Sequence, residues 1–300
     1  MLSAASLHAQ QTGDPEYRPE VANPMHATGE GPLVLIDSGH TNFHTKEGRY
    51  GPFARLIEAD GYVVESGDGR FTPESISEAS VLIIANAIHP DNMVDDWRLP
   101  ILPAFTDEEV EAVVGYVESG GGLFLVVDHM PFPGAAASLA ARFGIDLSNG
   151  FAFVTDGRNA TLPGPTVFRR SEGRIGDHPV TRGRSATEKV NQVATFAGTA
   201  FPVTGDAVPI LSFGEHALML YPTVAWEFDE RTGKAMIPGW SQGVALRHGR
   251  GRVVIFGEAA MFTSQAAGNG VVVGMTSKVS EDNQRLALNI VRWLACDLEE

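Results

Sequence analysis

The chain lacks two features that would restrict its class at once: a set of cysteines and a long apolar run. Its one cysteine, Cys296, excludes an internal disulfide and a multi-cysteine zinc site. Because Cys296 falls inside the last helical pattern, we expect it to be a buried apolar side chain. No stretch approaches the roughly 20 apolar residues of a membrane-spanning helix, so membrane insertion is not expected.

Basic residues are also scarce relative to acidic ones. The 22 lysines and arginines stand against 37 aspartates and glutamates, which gives a formal net charge of -15. This balance argues against nucleic acid as a partner, because phosphates require a basic surface. It is compatible with a small-molecule substrate and with a metal ion. Hydrophobic residues make up 43% of the chain, which is enough for a sizeable core.

The N-terminal segment has an unusual composition. Residues 1–10 resemble the end of a secretory signal, with small residues near Ala9, but lack a basic n-region and a full apolar h-region. The residues that follow, to about Gly31, are rich in Pro, Glu, Gly and Asn and indicate an irregular arm. We therefore expect a signal remnant and arm over residues 1–31. A periplasmic or secreted location is favoured, with a cytoplasmic one as the alternative.

Residues 32–298 are expected to form a single α/β domain. Its first half alternates apolar strand patterns at residues 32–37, 62–65, 80–87 and 123–128 with helical patterns that include residues 47–60, 106–118 and 133–143. The helical pattern at 106–118 opens with a capping box formed by Thr106 and Glu109. Such alternation predicts a mostly parallel sheet with helices on both faces. A flavodoxin-like strand order would place the first and third strands side by side. The second half predicts an antiparallel, loop-rich extension, with a hairpin of residues 243–247 and 253–256 and a closing helix over 282–298.

Four apolar runs each end in a group of polar residues. These residues are Asp37, His40, His44, Asn86, His89, Asp128, His129 and Glu258. In open α/β sheets, ligands bind beyond the carboxyl ends of the strands. Histidines and carboxylates at these ends therefore predict a catalytic or metal-binding site.

The spacing of His40 and His44 suggests a metal. They are four residues apart, so a helical stretch would direct both imidazoles the same way. We predict one divalent metal, with zinc favoured, held by His40, His44 and His129. Asp37 is either a further ligand or a residue that orients His40. The structural alternative is a loop histidine bonded to backbone, and no nucleotide cofactor is expected.

Asp128, His129 and Glu258 are the predicted catalytic residues. A carboxylate moves the proton beside a metal-activated water, or His129 acts as a base without a metal. The open alternatives are structural: Asp128 caps the helix that follows, and Glu258 forms a salt bridge with Arg49. The residues predicted to contact substrate are Arg49, Tyr50, Asn86, His89 and Gln265.

Five short motifs have the order and composition of a known superfamily. They are Leu35-Ile36-Asp37, Gly48-Arg49-Tyr50, Gly120-Gly121-Gly122-Leu123, Asp177-His178-Pro179-Val180 and Gly249-Arg250-Gly251-Arg252-Val253. With these motifs, residues 32–298 resemble the class I glutamine amidotransferase-like superfamily, and more closely its ThuA-like and uncharacterised bacterial branches. The resemblance implies a flavodoxin-like sheet with an active-site rim at the strand ends.

Two departures from that superfamily concern its catalytic residues. The turn that carries the nucleophilic cysteine in true amidotransferases holds Asp128-His129-Met130 here, and Cys296 is far away in the chain. Where the superfamily has a His-x-Glu pair, only Glu258 is present. Glutamine hydrolysis by a cysteine is therefore excluded. The ThuA-like resemblance suggests carbohydrate-derived substrates, by analogy alone.

The leading hypothesis is a hydrolase or lyase that acts on a small substrate through a metal-assisted His/carboxylate site. The alternative is a non-catalytic module of the cell envelope that binds a ligand or a partner protein. The sequence does not indicate an oligomeric state.

Overall fold

The computed structural model of the protein describes residues 12–94, 97–158, 160–266 and 272–299. In chain order, the strands are β1 (Leu33–Asp37), β2 (Val63–Gly67), β3 (Val81–Ala85), β4 (Gly122–Val126), β5 (Phe151–Val154), β6 (Thr166–Arg169), β7 (Gln192–Thr195), β8 (Val208–Ser212), β9 (Ala217–Tyr221), β10 (Gly233–Met236), β11 (Ser241–His248), β12 (Gly251–Phe256), β13 (Ser264–Ala266) and β14 (Val272–Gly274). The α-helices are α1 (Gly51–Ala59), α2 (Pro73–Ile76), α3 (Pro90–Val94), α4 (Asp107–Glu118), α5 (Phe132–Ala135), α6 (Ala137–Arg142), α7 (Pro179–Arg182) and α8 (Asn283–Leu294).

A seven-stranded sheet lies at the centre, in the order β2-β1-β3-β4-β12-β11-β8. The first five strands of this order are parallel, and β11 pairs antiparallel with both β12 and β8. The predicted neighbours β1 and β3 pair directly, with Val34 opposite Val81. The predicted hairpin is confirmed by the pairing of Gly243 with Phe256. The fold is therefore flavodoxin-like, as the alternation of elements predicts.

Strand alternation divides the side chains of the sheet between two cores. Ile83 and Phe124 belong to the core that contains α1 and α8, whereas Leu82 and Leu125 belong to the core that contains α4 and α6. Because both faces are covered, β3 and β4 are buried along their whole length.

Local signals set the helix starts. α4 begins with the predicted capping box, in which Thr106 and Glu109 each bond the other's backbone N–H. α1 begins at Gly51 rather than at residue 47, because residues 46–50 form turns and Pro52 occupies the first helical turn. The helix predicted from residue 133 is divided into α5 and α6 at Ala136.

Cys296 is exposed, so the expectation of a buried side chain is wrong. α8 ends at Leu294, and Cys296 follows it with a left-handed backbone (φ 66°). This is the position after the helix C-cap, where the chain turns away from the core.

The second half adds small antiparallel sheets, of which β10-β9-β5 is the largest described. The described part of the arm, residues 12–31, is irregular, and hydrogen bonds near both of its ends attach it to the domain. Gly13 forms a bridge with Gln265, and the backbone N–H groups of Met25 and His26 donate to the carbonyl of Asp60. No helix formed by the described residues is long and apolar enough to cross a membrane.

Candidate functional site

The strand ends divide the predicted site residues between the two faces of the sheet. Leu35 of β1 packs on the α4 side, and Asp37 comes two residues after it. Val126 of β4 packs on the α1 side, and Asp128 comes two residues after it. Because alternate residues of a strand share a face, the two aspartates belong to separate polar groups.

His40 is held between two carboxylates. Its Nδ1 lies 2.9 Å from Oδ1 of Asp37, and its Nε2 lies 3.1 Å from Oε1 of Glu109. The rings of Phe71 and Phe105 lie against the imidazole, with centroids 4.3 and 5.0 Å away. We name Asp37, His40 and Glu109 the His40 clamp. It joins the end of β1 to the first turn of α4.

Both ring nitrogens of His40 donate in this arrangement, which requires the protonated imidazolium. Burial opposes protonation, but the hydrogen bonds and charges of Asp37 and Glu109 outweigh it and raise the pKa of His40. The clamp therefore leaves His40 no lone pair for a metal. Among the described residues, no group of three His, Cys, Asp or Glu side chains could hold a metal ion. The zinc site that combines His40 with His44 and His129 stays a prediction.

The second polar group lies beside the start of α1, and Asn86 links its members. The side-chain amide of Asn86 donates to Nδ1 of His44 at 3.2 Å, and its side-chain oxygen accepts the backbone N–H of Asp128 at 2.8 Å. We name this group the acid–base cluster. Its members are His44, Arg49, Tyr50, Asn86, Asp128, His129 and Glu258.

His129 is enclosed by aromatic rings. Phe151 stacks on it with centroids 4.6 Å apart and planes at 12°, and the ring of Trp226 meets it edge-on at 4.6 Å. Nδ1 lies 2.6 Å from the carbonyl oxygen of Met130, which assigns the proton of the neutral ring to Nδ1. Burial lowers the pKa of His129, although Asp128 and the Met130 carbonyl act in the opposite direction. Within the described residues, Nε2 has no hydrogen-bond partner, so its lone pair can accept a proton.

Glu258 is a buried carboxyl group beside a second one, Asp128. Its oxygens accept the backbone N–H groups of Ala260 at 3.0 Å and of Met261 at 2.7 Å. Despite these bonds, burial and then the charge of Asp128 raise the pKa of Glu258 well above its ordinary value. Burial, followed by the same two carboxylates, raises the pKa of Tyr50. Glu258 therefore keeps its proton to a higher pH than an exposed glutamate does.

The backbone at Gly198 packs closely against Gly257 and the side chain of Glu258. Gly198 has a φ of 109°, and a Cβ at this position would lie 2.1 Å from the carbonyl oxygen of Gly257 and 2.9 Å from Cγ of Glu258. The neighbouring N–H of Phe196 also bonds the Glu258 carboxyl group. Only glycine fits at position 198 without displacing Glu258.

Arg49 connects the acid–base cluster to the surface. It lies over the ring of Phe43, 4.4 Å from its centroid, and borders a depression of about 230 Å³. Burial lowers the pKa of the Arg49 guanidinium, and the charge of Asp128 opposes this effect. Burial, then the positive charge of Arg49 and the charge that His129 carries when it is protonated, hold the pKa of His44 well below its ordinary value. The positively charged Arg49 therefore lies at the open side of the cluster, and the buried His44 is neutral.

Strained backbone is concentrated around these two polar groups. Positive φ values occur at Thr41 (51°), Asn86 (52°), Trp97 (54°) and Trp226 (67°), and outside this region the described non-glycine residues show one only at Cys296. Each such conformation costs on the order of 1–3 kcal/mol and is typical of functional sites. Trp97 and Trp226 both contact the ring of His129. The strain therefore marks the surroundings of His129 as the candidate site.

Two predicted substrate contacts lie apart from the acid–base cluster. His89 accepts the backbone N–H of Asp91 at 3.2 Å at the start of α3, with a side chain that is 35% exposed. Gln265 is buried and donates to Oγ1 of Thr263 at 2.7 Å. No described hydrogen bond joins either residue to the cluster, so their predicted contact with substrate stays a prediction.

Three residues that shape the site have no clear signal in the sequence. Glu109 matches a capping box, but nothing in that motif indicates its bond to His40, 69 positions away. Phe151 and Trp226 come from the loop-rich half of the chain. Their contact with His129 follows from the way in which β5 and the segment after β9 return to the sheet edge.

A larger cavity, about 600 Å³, lies at the opposite edge of the sheet between α2, α4 and the end of α8. Small side chains such as Ala112, Gly115 and Gly121 line most of it. It contains no residue of the His40 clamp or of the acid–base cluster. The two polar groups and the larger cavity therefore lie in different parts of the protein.

No protein-family model matches the chain, and no curated protein matches it in sequence. Among solved structures, the mmIFT52 N-terminal domain is 14% identical, with a TM-score of 0.58 over 87% of this chain and 96% of that one. A ThuA-like protein from Bacteroides uniformis is 15% identical, with a TM-score of 0.46 over 94% and 95% of the two chains. A GMP synthase subunit from Thermoplasma acidophilum is 8% identical, with a TM-score of 0.42 over 89% and 96%. At such identities, the similarity to the mmIFT52 domain establishes a shared fold and nothing about activity.

Proposed function

We propose that the protein is a hydrolase or lyase for a small substrate, with His129 as general base and Glu258 as general acid. The main support is the opposite displacement of two pKa values in one buried cluster, downward for His129 and upward for Glu258. Displacements in these directions favour a free base and a protonated acid at the same pH. Acid–base catalysis needs such a pair.

Each member of the acid–base cluster has a part in this proposal. Nε2 of His129 takes a proton from water or from a carbon beside a carbonyl, and Glu258 delivers a proton to the leaving group. Arg49 binds an anionic group of the substrate at the open side. Asn86 is a positioning residue, because it bonds both His44 and the backbone of Asp128.

Loss of the base should stop turnover without unfolding the protein. We expect His129→Asn to lower kcat/KM at least about 100-fold, the lower end of what a general base contributes. The measurement uses p-nitrophenyl esters, p-nitroanilides and p-nitrophenyl glycosides as substrates. His248→Gln is the matched control, because His248 is a half-buried histidine beside Glu118 and outside the cluster. An unchanged kcat/KM in His129→Asn would remove the proposed base.

The pH dependence tests Glu258 separately. Activity requires His129 without its proton and Glu258 with its proton. We therefore expect kcat/KM to rise with pH as His129 loses its proton, through a pKa below the ordinary 6.5 of histidine. At higher pH it should fall as Glu258 loses its proton, through a pKa above the ordinary 4.5 of glutamate. In Glu258→Gln, the alkaline fall should disappear and the maximum should drop about 100-fold. An alkaline limb that persists in this variant would assign the acid to another group.

Metal assistance is the second form of this proposal, and it requires one ring nitrogen of His40 to leave its carboxylate and to lose its proton. Because that exchange gives up a buried hydrogen bond of the clamp, we expect purified protein to contain no stoichiometric zinc and to keep its activity after chelation. Metal content is measured by mass spectrometry, with His40→Gln and His129→Asn alongside. About one zinc per chain, lost in both variants, would instead favour the metal-assisted form.

The competing hypothesis is the non-catalytic binding module, and one observation favours it. His44, Asp128, His129 and Glu258 are each less than 8% exposed, so a reacting bond reaches them only through a narrow opening. Under this hypothesis none of the three substrate classes is turned over, and His129→Asn changes the melting temperature rather than a rate.

A further inference from the structure

A row of aromatic rings runs from His129 along β5. Phe151 stacks on His129, and Phe153 lies parallel to Phe151, with centroids 6.5 Å apart and planes at 10°. Phe228 meets both phenylalanines edge-on, at 5.2 and 6.1 Å. Burial decreases along the row, from buried Phe151 through half-buried Phe153 to Phe228, which is 39% exposed. The row therefore links the proposed base to the protein surface.

The sheet face around this row is almost entirely apolar. In antiparallel strands, directly opposite residues share a face. The register of β5, β9 and β10 thus places one further set of residues beside Phe151 and Phe153. They are Leu218, Leu220, Lys234 and Met236. Met236 is 45% exposed, so the apolar surface that reaches solvent includes Met236 as well as Phe228.

We propose that this aromatic row binds a planar aryl group of the substrate and holds the neighbouring reacting bond at Nε2 of His129. The inference rests on the proposed function, because it names the substrate class of that same site. Aryl rings stack favourably on phenylalanine in edge-on and offset geometries. A sugar ring would bring several hydroxyl groups, and apart from Lys234 the side chains of this face are Phe, Leu and Met, which offer them no hydrogen-bond partners.

Phe153 and Phe228 then determine specificity, while His129 supplies the chemistry. Phe153 offers a half-buried ring in line with the stack, and Phe228 covers the edge of two rings. Replacing either by leucine keeps an apolar side chain and removes only the ring. Such variants preserve the sheet face and isolate the effect of stacking.

The test compares benzyl acetate with cyclohexylmethyl acetate, whose leaving alcohols are both primary and differ mainly in the planarity of the ring. We expect the wild-type protein to favour benzyl acetate about tenfold in kcat/KM, the upper part of what an aromatic pair contributes. Phe153→Leu and Phe228→Leu should bring the ratio close to one. Leu162→Ala should leave it unchanged, because Leu162 is 48% exposed and makes no described ring contact with the row.

A binding measurement separates this inference from the proposed function. Saturation-transfer NMR records the binding of benzyl alcohol and of cyclohexylmethanol to wild type, His129→Asn and Phe153→Leu. If neither ester is hydrolysed but benzyl alcohol binds selectively and loses binding in Phe153→Leu, the hydrolase proposal fails and the aryl site stands. Equal kcat/KM for the two esters, or no selective binding of benzyl alcohol, would overturn the aryl site.

Discussion

Replacing His40 by alanine should lower the free energy of unfolding by about 3 to 5 kcal/mol, the usual effect of removing one partner from a buried ionic group. The His40 side chain is 5% exposed, and Asp37 and Glu109 are similarly buried. Without the imidazolium, two carboxylates remain close together inside the protein with no cation between them. Chemical denaturation at pH 6 measures the loss.

The matched control for this substitution is His89→Ala. The His89 ring accepts a hydrogen bond from a backbone N–H rather than bonding two carboxylates, and its side chain is 35% exposed. We therefore expect little change in the free energy of unfolding. A loss in His40→Ala that does not exceed the loss in His89→Ala would show that the clamp contributes nothing to stability.

The contribution of His40 has a definite pH dependence. Its pKa is higher in the folded than in the unfolded chain, so its stabilising effect is complete below the ordinary value of 6.5. The effect is lost as the pH rises through the raised pKa of the folded state. The difference in unfolding free energy between wild type and His40→Gln should therefore shrink from pH 6 toward alkaline pH. A difference that grows with pH would contradict the imidazolium assignment.

Breaking the buried pair between Asp60 and Arg292 should cost a similar amount, about 3 to 5 kcal/mol in Asp60→Ala. The carboxylate of Asp60 accepts two hydrogen bonds of 2.7 Å from Arg292, and neither side chain is more than 2% exposed. Asp60 also accepts the backbone N–H of Met25, so this pair joins α1, α8 and the arm. Arg292 would keep its contact with Glu188, 3.1 Å away, and its longer bond to the backbone carbonyl of Asn23, 3.4 Å away.

Asp229→Ala is the control for Asp60→Ala. Asp229 pairs with Arg231 at 2.8 Å, but both residues lie at the surface, and exposed pairs of this kind contribute little. Thermal unfolding should separate the two variants clearly, with a large fall in melting temperature for Asp60→Ala only. Equal melting temperatures would mean that the buried pair is replaceable by solvent.

The pairing of β1 with β3 and the hairpin of β11 and β12 could be predicted because both follow from local patterns. Runs such as residues 81–85 are apolar throughout and end in polar residues, and this pattern is typical of a strand covered on both faces. The capping box at Thr106 likewise fixes the start of α4 from four adjacent residues. These features need no knowledge of distant contacts.

The division of the predicted residues into two groups could not be predicted in the same way. His40 and His44 are four residues apart, but the chain between them turns rather than forming a helix. His40 bonds Asp37 and Glu109, whereas His44 bonds Asn86. Which face each histidine meets depends on the register of β1 and on residues far away in the chain. The spacing of the two histidines therefore does not indicate that they belong to separate hydrogen-bonded groups.

Gly198 limits which substitutions the chain can accept at that position. It bears no functional group, yet any side chain at this position would collide with the carbonyl of Gly257 and with Glu258. A mutational library that retains a buried glutamate at position 258 should therefore return glycine at position 198 almost without exception. In divergent sequences, a chain that keeps this buried acid should therefore also keep a glycine in the segment before β8.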